Sequence, residues 1–144
     1  MIETMKALVK EKDICVLATV SEGIPHCSLM AYVSDEDCRE IYMVTHKQTT
    51  KFRNLSENPG VSLLIDTRED HRGPYRKEAR ALTVAGAYQR IEDPVKRSMA
   101  RALFLERHPH LVEFVDDPDA EMLCIRIDSF LLLDGIEKAF FEKR

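Results

Sequence analysis

The clearest chemistry in this chain lies in a short polar segment: Thr45, Thr49, Thr50 and Lys51 put three hydroxyls and one ammonium within a few residues. Thr49 or Thr50 is a good N-cap for a helix beginning near Lys51. A helix start leaves backbone N–H groups without intrahelical acceptors and carries partial positive charge. Hydroxyl donors and a full cation beside such a start make a seat for a phosphate. The same residues also describe a capped surface helix carrying one lysine, and the pattern by itself leaves both readings open. A second group comes from strand parity over residues 24–33. His26, Ser28, Met30 and Tyr32 share one face, and Cys27, Leu29, Ala31 and Val33 the other. The second set reads as core. The first begins with a potential cation and a hydroxyl, which suits a ligand, an interface or an ordinary polar outer face. His108 and His110 are two positions apart, but no third ligand stands at motif spacing, so no metal site is expected.

The elements that must carry these groups follow from periodicity. Residues 2–12 read as a helix with Ile2, Met5, Leu8 and Val9 on one stripe. The run 14–20 is a buried strand, a polar turn at 21–23 follows, and 24–33 returns as the second arm of a hairpin. A charged turn at 34–40 leads to a strand at 41–44. The short helix at 51–57 has Phe52 and Leu55 on one face and is stopped by Asn58-Pro59-Gly60, with glycine taking a left-handed exit. Residues 61–65 form a strand, and 66–78 a long polar loop whose acids nearly cancel its arginines and lysines. Residues 79–91 alternate as a strand, with Gly86 as a bulge or a point of close approach. Asp93-Pro94 opens a helix to about Arg107, with Val95, Met99, Ala102, Leu103 and Leu105 turned inward. A short helix at 111–115, two closing strands at 122–127 and 130–133, and an apolar tail complete the chain. About six antiparallel strands with a few helices favour an antiparallel barrel over a doubly wound sheet.

Composition bounds the rest. A chain of 144 residues, 44% hydrophobic and 32% charged, suits one domain over residues 1–144 with a core of its own. The net charge of −4 argues against general nucleic-acid binding. No apolar run approaches the roughly 18 residues of a membrane span, and residues 1–13 lack the apolar region of a signal peptide. Cys15, Cys27, Cys38 and Cys124 form no C-x-x-C pair. Reduced thiols and a cytoplasmic location are expected.

The runs LATVSEGIPHCSLMAYV (17–33), IYMVTHKQTTKFRNLSENPGVSLLI (41–65), ALTVAGAYQRI (81–91) and MLCIRIDSFLLLDG (122–135) together resemble the pyridoxamine 5'-phosphate oxidase-like family of flavin-binding split β-barrels. The resemblance implies a mainly β, α+β fold: a six-stranded antiparallel split β-barrel with flanking helices. It implies a homodimer with FMN in clefts at the subunit interface. It places the FMN phosphate near His26 and Ser28 and near Thr45, Thr49, Thr50 and Lys51, and the ring along Cys27, Met30 and Val44. True pyridoxamine-phosphate oxidases carry arginine where His26 stands and lysine where Ala31 stands, and they have a C-terminal tryptophan; this chain has none. The expectation is therefore an FMN-dependent oxidoreductase other than a vitamin B6 oxidase, with the loop at 66–78 as a lid. The alternative is a non-catalytic flavin- or haem-type binding protein of the same fold.

Overall fold

The computed structural model describes all 144 residues. Helix α1 (Ile2–Glu11) precedes the hairpin β1 (Ile14–Ser21) and β2 (Ile24–Ala31), followed by the two-residue β3 (Val33–Ser34) and by β4 (Glu40–His46). Then come α2 (Thr50–Glu57), β5 (Gly60–Asp66), a 3-10 turn (Gly73–Glu78) and β6 (Arg80–Arg90). Helix α3 (Pro94–Arg107), the short α4 (Val112–Asp116), β7 (Ala120–Asp134) and β8 (Lys138–Lys143) finish the chain.

All pairings are antiparallel, in the order β2-β1-β5-β6-β7-β4-β3, with β8 added to β7. The two ends of that path are one piece of chain, since only Tyr32 separates β2 from β3. The strand pairs with β1 as far as Ala31, then transfers to β4 at Val33. Counting β2–β3 as one strand, the ring has the six strands of a split barrel, with β8 outside it.

The barrel interior is a cluster of 21 buried residues that includes Met5 and Leu8 of α1, Leu17, Tyr32, Leu63 and Phe130. A fully buried leucine such as Leu17 is worth roughly 1.5–3 kcal/mol in area removed from water. A smaller cluster lies outside the barrel, where Tyr42, Val44 and Cys124 pack beneath Ala100 and Phe104 of α3. Strand β4 is thus buried on both faces: Ile41 and Met43 point into the barrel, Tyr42 and Val44 under the helix.

Several local expectations change. Alternation along β2 assigns residues to two faces without saying which face is inside. The partner strand decides: Cys15, Leu17 and Thr19 are buried or nearly so and pair with Met30, Ser28 and His26. The set His26, Ser28, Met30 and Tyr32 is therefore the inner one, and Leu29 of the other set is 72% exposed. On α3, Ala100 and Phe104 face inward, whereas Val95, Met99 and Ala102 are exposed. The apolar stripe is rotated because the helix lies on β4 and β7 through its C-terminal half. The closing strand is continuous: Asp128 is an extra residue opposite the step Ala85–Gly86, a bulge rather than a break. A Cβ on Gly86 would collide with the Arg126 carbonyl oxygen, which is the close approach that position requires. Helix α2 ends at Asn58 in an extended conformation, because Pro59 disfavours helical geometry at the preceding residue. No helix is long and apolar enough to cross a membrane.

Candidate functional site

The polar segment after β4 folds as a turn closed by its own threonines. Thr49 is the N-cap of α2: its hydroxyl oxygen accepts the Phe52 N–H at 3.2 Å and its hydroxyl donates to the His46 carbonyl at 2.9 Å. The Thr45 hydroxyl lies 3.3 Å from that of Thr49. These two threonines shape the corner and are engaged within it. Lys51, in the first turn, has no carboxylate within ion-pair reach, and its half-buried side chain lines a cavity. Helix α2 is held in place from behind, where the Asn54 amide donates to the buried Thr19 hydroxyl of β1 and the Ser21 hydroxyl to Glu57.

That cavity has a volume of about 310 Å³. Met30, Ala31 and Leu29 of β2 and Val44 of β4 form its floor, and Thr45, Thr49 and Lys51 its polar end. Phe104 of α3 with Leu111 and Phe114 of the following turn and helix form its roof. The roof is pinned to the barrel by the buried His108. Its Nε2–H donates to the Tyr32 carbonyl at 2.8 Å, at the point where the strand leaves β1 for β4. Arg107 reinforces this by donating to the carbonyls of Glu11 and Lys12. The other end of α3 is fixed by Lys96, paired with Glu40 at 2.8 Å. Glu40 also accepts from Tyr42 and from the Cys124 thiol. Burial works to raise the Glu40 pKa, but these three donors outweigh it and hold the carboxyl below its ordinary range. Burial, with Glu40 as a further cause, pushes the Cys124 thiol up to about 12.

His46 is the residue that sequence reading missed. Its ring stacks on Phe114, centroids 4.5 Å apart and planes 13° off parallel. Its Nε2 is buried and has no hydrogen-bond partner, and the side chain lines the cavity. A buried imidazole nitrogen left without a partner is costly unless a ligand satisfies it. Nothing in the local sequence pattern marks this, because the stacking partner comes from a helix almost seventy positions away.

The expected site residues divide. Met30, Val44, Thr45, Thr49 and Lys51 meet in the cavity. His26 and Thr50 line a neighbouring cavity of about 400 Å³ that they share with Arg53, Glu57 and Ser21. Cys27 and Ser28 line neither; Cys27 is exposed on the outer face of the barrel and Ser28 turns inward. The loop at 66–78 does not cover the cavity. The Lys12–Asp70 ion pair ties it to the end of α1, and none of its residues lines the site. No cluster of histidine, cysteine or carboxylate groups is arranged to hold a metal, and His108 is spent on Tyr32.

The donor set suits an anionic, partly aromatic group. A helix start with an unpaired lysine has the charge to receive an anion, and the apolar walls have the shape to cover a flat ring.

A family model described as pyridoxamine 5'-phosphate oxidase matches residues 1–133. No curated protein matches this chain. Among solved structures, the heme binding protein from Mycobacterium smegmatis superposes with a TM-score of 0.87 at 20% identity, over 99% of this chain and 57% of that one. The chain thus spans little more than half the length of that relative. A FAD-binding protein from Mesorhizobium loti gives a TM-score of 0.71 at 17% identity, covering 90% of this chain and 91% of that one. A general stress protein 26 relative of the pyridoxinephosphate oxidase family from Clostridium acetobutylicum gives 0.73 at 17%, covering 99% and 93%. At these identities the likeness is one of fold.

Proposed function

The chain belongs to the pyridoxamine 5'-phosphate oxidase family, and on that footing we propose that it is an FMN-binding flavoprotein, a cytoplasmic homodimer acting as an oxidoreductase. The observation that carries this is the unpaired Lys51 ammonium beside the Thr49-capped start of α2, opening into a cavity with apolar walls. Lys51 and the free N–H groups of the first turn would hold the phosphate. Met30, Val44 and Phe104 would bear on the flavin ring. When bound, FMN supplies the electron-transfer chemistry, and the protein positions and shields it. His46 Nε2 would satisfy a polar edge of the ligand. Position 26 holds a histidine where an arginine fork would be needed, and that histidine lines the neighbouring cavity, which leaves Lys51 as the principal cation of the seat. The buried free thiols Cys15, Cys38 and Cys124 fit a reducing compartment.

A second copy is the natural cover for the outer barrel face. Antiparallel register sets Leu29, Val16, Leu64, Thr83 and Leu131 in one row across β2, β1, β5, β6 and β7. On β8, Phe141 pairs with Leu131 and is 60% exposed. Such a row, apolar except for Thr83, suits an interaction surface. Leu29 belongs both to the row and to the cavity lining, so a partner docked there would close the open side of the site. Light scattering should give about twice the 16.6 kDa chain mass.

A haem reading is favoured by one feature, a His46 side chain that lines the cavity with its Nε2 buried and partnerless, together with the fold shared with a heme binding protein. An absorption spectrum of the purified protein, followed by titration with FMN and with hemin, decides between them. Flavin bands near 450 nm that bleach with a nicotinamide donor support the oxidoreductase. Flavin bands that stay oxidised with every donor support a carrier. A Soret band abolished by His46→Ala supports the haem reading. No affinity for either ligand removes both.

A further inference from the structure

A second cavity lies away from the flavin site. It measures about 620 Å³ and sits at one end of the barrel, between the loop after β5 and the turn joining β7 to β8. Three guanidinium groups line it, those of Arg68, Arg76 and Arg80. The Asp66 carboxylate is already held by Arg68, and Arg68 holds it below the ordinary carboxylate range despite partial burial. Arg76 donates to the Arg68 carbonyl at 2.9 Å, which fixes its fork at the rim. Arg80 is half-buried, and its guanidinium has neither an ion-pair partner nor a hydrogen-bond acceptor; Asp134, opposite it in register, lies beyond ion-pair reach. The remaining walls are apolar: Leu64, Leu133 and Ile136, the last 75% exposed.

We propose that this cavity binds a small amphipathic anion, an alkyl or aryl body carrying a carboxylate or phosphate head. Guanidinium groups match the two oxygens of either head in a bidentate fork. Two arginines without a carboxylate partner leave the cavity cationic although the chain is acidic overall. Leu64, Leu133 and Ile136 then cover the apolar body and remove it from water. None of the residues involved lines the flavin cavity, although Leu64 also belongs to the outer row proposed to meet a second copy, so binding is measured on the protein in its solution oligomeric state.

The test is an isothermal titration of the full-length protein with octanoate, octyl phosphate and octanol, with amide shifts mapped by nuclear magnetic resonance. Either anion should bind at one site per chain, and octanol should bind at least tenfold more weakly. The preferred head, carboxylate or phosphate, is read from the two affinities. The amides of Gly73, Gly135 and Ala81 should shift. Arg80→Met keeps the apolar stem and should weaken binding at least tenfold, Arg76→Met should weaken it further, and Arg90→Met on the same strand should not. Arg80→Lys, which retains the charge, should recover part of the loss and shows that the site still folds. Equal binding of octanol, unchanged affinity in Arg80→Met, or shifts confined to other residues would overturn the proposal.

Discussion

Replacing Lys51 with alanine separates ligand binding from stability, because the two respond with opposite sign. In the free protein the Lys51 ammonium has no carboxylate partner, so its removal orphans nothing. It also sits in the first turn of α2, where the partial charge of the helix is positive and a cation is unfavourable. Alanine there should leave stability unchanged or raise it by about 0.3–1 kcal/mol. With ligand, a charge-assisted hydrogen bond to phosphate is lost, a cost of about 1.5–3 kcal/mol. That corresponds to a roughly 10- to 150-fold weaker Kd for FMN. Quenching of FMN fluorescence measures this, and riboflavin is the control because it has the same ring without the phosphate. Lys51→Ala should bind riboflavin as the parent does, and raised salt should shrink the difference between the two proteins for FMN alone. An equal loss for FMN and riboflavin would refute a phosphate contact, as would a melting temperature falling in step with affinity.

Other perturbations test the frame around the site. Gly86→Ala should destabilise the protein by about 1–3 kcal/mol in urea denaturation, because the new methyl meets the Arg126 carbonyl across the bulge and the backbone must shift. Glu40→Gln should cost about 1–3 kcal/mol at pH 7, since three donors lose their charged acceptor. The Glu40 pKa is lowered on folding, so its contribution is full above the ordinary value of 4.5 and is lost as pH falls through the folded value. The stability gap between parent and Glu40→Gln should therefore close in acid, and a gap independent of pH would count against the cluster. Thiol titration with an aromatic disulfide should modify Cys27 first. Burial pushes Cys15 up to about 12, and Cys124 reaches the same range, so both should react only after unfolding. Protection of Cys27 that disappears on dilution would locate the interface between copies on the outer barrel face.

Local sequence was sufficient for what local physics controls. The caps Thr49 and Asp93, the proline after Asn58, the helix periodicity of α1 and the glycine at the bulge each act within a few residues, so their effects were readable along the chain. The Thr49 cap with Lys51 in the first turn was legible for the same reason, and so was the barrel as an order of hydrophobic runs. Three features were decided only when distant segments met. The inner face of β2 was set by the buried side chains of β1, since alternation alone has two equivalent solutions. The contact face of α3 was set by its placement on β4 and β7, which left Val95 and Met99 outside. The cavity acquired its roof from Phe104 and Phe114, and this turned His46 from a strand-end histidine into a half-buried one whose Nε2 is buried without a partner. Burial is a property of what arrives from elsewhere in the fold, and a residue's own neighbours in sequence carry no record of it.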